Sequence, residues 1–346
     1  MKRLMFVLLI AGLAISTAGA QDISFEDLNT QFTNFSKDVA SSLPLNAQIG
    51  SVWSDAHIGQ FPRFGVGATV GVTTIPYDTV FNIVDGLGLT ADLPAGFTDL
   101  ANIGIPLPAY TLDARVGGLL LPFDVGAKVG YIGPELGNSV LSALPVNVDY
   151  LLAGFDARLN VISEGILLPS VSVGAGYSFL SGSISLPSIT NSDIQLASIT
   201  DPLSSTVYDV SLSSPDLSFQ WDSSVITVNA HASKNFFLFT PYAGLGAALG
   251  LSSAGGGLES ELVVTADGSP ATEEQIATLE QYLAQEYPDL DLSGQSILVA
   301  AASQGWSFRA YAGTSINLLF LRLDLNASYD LLGEGFGAQV GFRFQI

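Results

Sequence analysis

Few residues in this chain are equipped for bond-breaking chemistry. There are two histidines and no cysteine, which excludes disulfides, thiolate nucleophiles and cysteine-bound metals. No cluster has metal-ligand spacing, and no glycine-rich phosphate loop stands between a strand and a helix, because the Gly-x-Gly runs fall inside strand-like segments. What remains is a set of opposite charges at short spacing: Asp113 and Arg115, Asp124 and Lys128, Asp156 and Arg158, Arg322 and Asp324. Separations of two or four put both members on one face of a strand, where cross-strand partners extend them into a ladder. Such a ladder serves either as an ion-selective constriction or as a salt-bridge network filling a narrow interior, and the second is favoured.

The elements that must carry these pairs are read from period-two alternation. From 63 to 74 one parity holds Phe64, Val66, Ala68, Val70 and Val72, and the other Arg63, Gly65, Gly67, Thr69, Gly71 and Thr73. The same pattern recurs at 110–118, 123–131, 149–161, 170–180, 224–232, 237–250, 306–317, 320–331 and 336–346. That makes about ten strands (range 8–14), each near the ~9–11 residues that span a bilayer. Connections alternate in length: 118–122, 162–167, 233–236 and 317–319 are short, whereas 75–108, 132–148, 181–216 and 251–305 are long. Short turns at one end and long loops at the other describe an all-β, antiparallel up-and-down transmembrane barrel. His57 and His231 both fall toward the short-turn end, away from the outer mouth where a barrel hydrolase needs its histidine, so the chain is not expected to be an enzyme.

The bases decide which parity faces lipid. Arg63, Arg115, Lys128, Arg158, Arg309, Arg322 and Arg343 all occupy the polar parity, with Lys37 and Lys234 outside the strands. A charge facing lipid at the midplane costs about 2–4 kcal/mol. The polar parity therefore faces the lumen, and Asp113, Asp124, Asp156 and Asp324 join the bases there. A soluble barrel would give the same parity, but Gly and Ser fill the polar side. Aromatics at both strand ends (Tyr110, Phe123, Tyr131, Tyr177, Phe179, Tyr329, Phe336, Phe344) read as interfacial girdles. Small inward residues, Gly65, Gly67, Gly71, Gly174 and Gly176, imply close approach of another element to the wall.

Composition agrees. The chain has 346 residues, 48% of them apolar and only 12% charged, with a net charge of −21, which does not suit a nucleic-acid binder. Lys2 and Arg3, an apolar core from residue 4 to 15 and Ala18-Gly19-Ala20 form a cleavable signal peptide over 1–20, too short for a membrane helix. The expected organisation is 1–20 signal peptide, 21–61 N-terminal helix and plug segment, and 62–346 barrel in the cell outer membrane, surrounded by its lipid. In 24–42 the residues Phe25, Leu28, Phe32, Phe35 and Val39 mark an amphipathic helix ending before Pro44, which either sits in the lumen as a plug or hangs in the periplasm as a packing or partner helix. The stretch 45–57 is read as an entry segment or plug, since counting it as a strand would give an odd number. In the loop 251–305, nine acids surround a helix expected over 272–287 and read as a solvated cap. The loop 75–108 is apolar, and its Phe81, Leu87, Leu89, Leu93 and Phe97 are the expected capture site for a small hydrophobic ligand.

The last residues, Gln339-Val340-Gly341-Phe342-Arg343-Phe344-Gln345-Ile346, resemble the terminal signal by which outer-membrane barrels engage the barrel-assembly machinery, with Ile where an aromatic usually ends it. In plan the chain is similar to the long-chain fatty-acid transporter (FadL-like) group: export, an N-terminal segment able to enter the lumen, apolar outer loops and a Phe-rich final strand. The Asn-Pro-Ala signature of that group is absent. The resemblance implies plug-gated passive uptake of small hydrophobic molecules, without cofactor or metal. The residues alone leave two further readings: a closed structural or surface-interaction (adhesin-like) barrel locked by its charge ladder, and a general porin.

Overall fold

The computed structural model describes residues 25–78, 81, 104–118, 121–133, 147–186, 194–200, 207–272, 275 and 296–346. The expected export segment 1–20 lies outside them. A helix, α1 (Phe25–Asn46), precedes twelve strands: β1 (Phe64–Ile75), β2 (Ile105–Gly117), β3 (Phe123–Ile132), β4 (Asn147–Ile162), β5 (Ser170–Leu186), β6 (Ile194–Thr200), β7 (Val207–Ser233), β8 (Phe239–Ala266), β9 (Ser269–Pro270), β10 (Ser296–Leu318), β11 (Leu321–Asp330) and β12 (Phe336–Gln345).

Antiparallel pairing runs β7-β5-β4-β3-β2-β1-β12-β11-β10-β8 and returns from β8 to β7, so ten strands close into a barrel. Each coincides with one of the ten alternating segments. β6 and β9 are short additions paired to the far ends of β7 and β8. Closure gives each ring strand a partner on both sides, as a hydrocarbon environment requires.

Burial along the strands is inverted relative to a soluble barrel. Val70, Phe155 and Leu245 are 64, 63 and 63% exposed, whereas Arg115, Lys128, Arg158 and Arg343 are buried. Every side chain of β12 alternates between exposed and buried to its last residue. An apolar wall with a charged interior is stable only if hydrocarbon covers the wall, which distinguishes the membrane barrel from the soluble one.

Two long connections are partly strand. β7, β8 and β10 contain 27, 28 and 23 residues, well beyond the ~9–11 needed to span. Much of what reads as loop in 181–216 and 251–305 is therefore sheet projecting past the long-loop end, which is extracellular in barrels of this kind. The sequence hid these extensions because outside the bilayer no lipid enforces alternation, as in Ser252-Ser253-Ala254-Gly255-Gly256-Gly257. Of the segment 272–287, where a helix is expected, only residues 272 and 275 are described. Gln275 Oε1 accepts from the Thr272 amide (2.8 Å), and the Gln275 amide donates back to Thr272 Oγ1 (3.4 Å), the reciprocal bonds of a capping box.

Helix α1 also runs further than the sequence implies, through Pro44 to Asn46. Pro44 packs against Gly250, where a Cβ would overlap its ring. The Ala47 amide still donates to Leu43 O (2.8 Å). The helix stands at the long-loop end against β8 and β10, with the Phe35 ring 4.8 Å from that of Phe219 on β7.

Candidate functional site

From the end of α1 the chain descends through the lumen. Residues 43–50 and 53–56 are buried, as is Ile58. Near the outer mouth, Asn46 Nδ2 donates to Thr73 Oγ1 and to Leu107 O, both at 2.9 Å. At the opposite end the Ile58 amide donates to Asp124 Oδ2 (3.1 Å), and the chain then turns into β1. The plug is thus the extended segment 43–58, with α1 as its outer anchor. Among the helix residues singled out in sequence, Phe35 and Val39 are buried at this anchor. Phe25, Leu28 and Phe32 lie on the same helix.

The charge ladder holds this segment. Lys128 Nζ donates to Ala47 O (2.6 Å), Ile49 O (2.7 Å) and Ser51 Oγ (2.7 Å). The Gly50 amide donates to Gln339 Oε1 (3.1 Å), and Gly50 has φ +76°, where a Cβ would also overlap Thr111 Oγ1. Trp53 Nε1 donates to Asp113 Oδ1 (2.7 Å), while the guanidiniums of Arg343 and Arg115 lie 4.6 and 5.5 Å from its ring centroid.

Asp55 is the keystone of the lower half. Arg322 and Arg343 face each other directly across β11 and β12, an arrangement that destabilises a sheet by like-charge repulsion. The Asp55 carboxylate lies between them, 2.9 Å from Arg322 Nη1 and 3.4 Å from Arg343 Nη2. Its carbonyl accepts from Arg158 Nη1 (2.6 Å), and the next amide, Ala56, donates to Ser233 Oγ (2.8 Å). His231 Nε2 stands 3.2 Å from Ser54 O and its Nδ1 3.2 Å from Tyr311 Oη. A carbonyl only accepts, so Nε2 carries the proton and the tyrosine hydroxyl donates to Nδ1.

Behind these latches the wall charges pair with one another. Asp124 accepts from Arg115 (2.5 Å) and from Arg158 (2.9 Å), Asp156 from Arg115 (2.6 Å), and Asp324 from Arg343 (3.1 Å). The inward glycines make room for both sets. A Cβ at Gly65 would come within 2.8 Å of the Trp53 ring and one at Gly71 within 3.0 Å of Ile49, whereas Gly67, Gly174 and Gly176 face Arg343, Arg158 and Asp156 of the wall.

Not every expected residue joins the site. Arg63 is exposed at the short-turn end, one residue before β1, and so stands outside the ladder. Arg309 is buried but has no carboxylate partner within 4 Å among the described residues. Of the capture residues, Phe81 stacks on Tyr77 at 5.5 Å, and Leu87, Leu89, Leu93 and Phe97 lie outside the described residues. Sequence reasoning missed Asn46, Trp53, Ser54 and Asp55 as individual contacts. Asp55, a lone acid two residues after Trp53 in a segment read as entry or plug, was the available signal.

No protein-family model and no curated protein matches the chain. Among solved structures it is similar to the translocator domain of autotransporter NalP from Neisseria meningitidis (10% identity, covering 91% of this chain and 99% of that one, TM-score 0.37). It is also similar to the outer membrane protease OmpT from Escherichia coli (8%, 82% and 97%, 0.38) and to a Pseudomonas aeruginosa FadL homologue (10%, 82% and 89%, 0.20). These are likenesses of one barrel to another, and the membrane-barrel assignment stands on strand order and inverted burial. The chain has the fold of an outer-membrane β-barrel, ten antiparallel strands closed into a ring with an apolar outer wall.

Proposed function

We propose that the barrel is a passive conduit for small hydrophobic molecules, with segment 43–58 as its gate and the apolar stretch after β1, including Phe81, Leu87, Leu89, Leu93 and Phe97, as its capture surface. The observation that carries the gate is the chemistry of the lumen. The plug is held largely by hydrogen bonds and ion pairs to wall side chains, such as those of Lys128 and Asp55. A wall lined with charges is resolvated by water when the plug leaves, so displacement exchanges one set of hydrogen bonds for another. An apolar lumen would lose its burial outright.

The cysteine-free background provides the test. Asn46→Cys with Thr73→Cys replaces two side chains in contact (2.9 Å), and oxidation ties the plug to β1. Uptake of a radiolabelled small aromatic hydrocarbon by cells should stop on oxidation and return with reductant. Equal uptake in both states refutes the gate.

The projecting ends of β7, β8 and β10 favour a second reading, a closed barrel that presents an outer sheet to a partner. That reading predicts no uptake in any redox state.

A further inference from the structure

We propose that the lumen contains a binding site for a small inorganic anion of halide size at Arg309. The side chain is only 5% exposed, and its Nε has no hydrogen-bond partner. The other lumen bases each donate to an oxygen: Arg115, Arg158 and Arg343 to wall carboxylates, Lys128 and Arg322 to the plug. The Arg309 guanidinium carbon lies 4.8 Å from the Tyr311 ring centroid, and Asp330 acts on it only at longer range. A cation–π contact uses none of the five N–H donors.

The acid that register assigns to it is hydrogen-bonded elsewhere. Asp330 stands directly opposite Arg309 across β10 and β11. Its Oδ2 accepts from Ser307 Oγ (2.6 Å), and its Oδ1 from the amides of Leu332 (3.0 Å) and Gly333 (3.2 Å), closing the outer turn. The Tyr311 hydroxyl is committed to His231 Nδ1. Lys128 lies within electrostatic reach of Arg309 and is already saturated by three oxygens of the plug. Among the described residues no carboxylate lies within 4 Å of Arg309 or Lys128, although Asp330 stands within electrostatic reach of the first and Asp113 and Asp156 of the second; a buried guanidinium nitrogen without a partner demands an acceptor. A side chain enclosed to this degree leaves less room for an organic acid than for a monatomic anion, the smaller acceptor.

The test uses the full chain folded in detergent. Thermal unfolding is followed in chloride, bromide, formate and gluconate at constant ionic strength, and crystals grown in bromide are examined for anomalous scattering. Raising chloride or bromide from ~10 to ~300 mM should lift the unfolding midpoint by about 2–4 °C over gluconate. Arg309→Met should abolish that dependence, and a bromide peak should lie within hydrogen-bond reach of the Arg309 guanidinium. An equal halide response in Arg309→Met, or no bromide peak at Arg309 in the wild type, overturns the proposal. Stabilisation by formate without halide also overturns it and identifies a carboxylate site instead. If Arg309→Met does not fold, the wild-type bromide map alone decides.

Discussion

Asp55→Asn tests the proposed gate separately from the barrel. The substitution keeps the size of the side chain and the Arg158 contact to the residue 55 carbonyl, and removes only the charge between Arg322 and Arg343. Breaking a fully buried pair costs about 3–5 kcal/mol, and an exposed pair about 0–1 kcal/mol. The side chains in this cluster lie between those limits, with Asp55 12% exposed, Arg322 16% and Arg343 2%. Each arginine also keeps another acceptor, Asn317 for Arg322 and Asp324 for Arg343. A cost of about 2 kcal/mol follows, or roughly 30-fold in the ratio of latched to released plug. In planar bilayers the variant should show open events about 30-fold more often than the wild type. Its barrel should unfold within a few degrees of the wild type, because water replaces Asp55 around both guanidiniums once the plug has gone. A lowered unfolding midpoint with unchanged channel silence would refute this reasoning, since it would make Asp55 a structural brace.

Three further outcomes are expected. Thr30→Cys, on the exposed face of α1, should react on intact cells with a membrane-impermeant maleimide, while Lys234→Cys in a short turn should not; the reverse labelling would invert the barrel's orientation in the membrane. Gly65→Val should drive the Trp53 ring from its seat, given the 2.8 Å clearance to a Cβ, raising acrylamide quenching of tryptophan fluorescence; unchanged quenching would mean that Trp53 does not pack against the wall at Gly65. Leu89→Asp with Phe97→Asp should abolish hydrophobic uptake while the protein remains folded, and unchanged uptake would place capture elsewhere.

The barrel was legible in the sequence because lipid imposes a strict rule on every second residue of a spanning strand. Arg115, Arg158 and Arg343 on one parity and Val66, Val70 and Phe342 on the other determine both the strands and their inner face. The plug was only partly legible. Its helix shows a period, but 43–58 has none, and its partners are remote: Gly50 and Gln339 are 289 residues apart. Pairing of that range is fixed by barrel closure, which no local pattern records. Arg63 was misplaced for a related reason: its parity is correct, but the strand begins one residue later, and a charge just outside the strand is free to face water. The outer sheet escaped notice because strands beyond the membrane bury neither face consistently.

Ionic conductance across a planar bilayer tests the central claim most directly, comparing the intact chain with a variant lacking residues 21–58. The intact chain should be nearly silent and the variant continuously conducting through a water-filled, charge-lined lumen. A variant that folds, as judged by heat-modifiable migration in gels, yet stays silent would contradict the claim: the wall side chains, not segment 43–58, would then close the barrel.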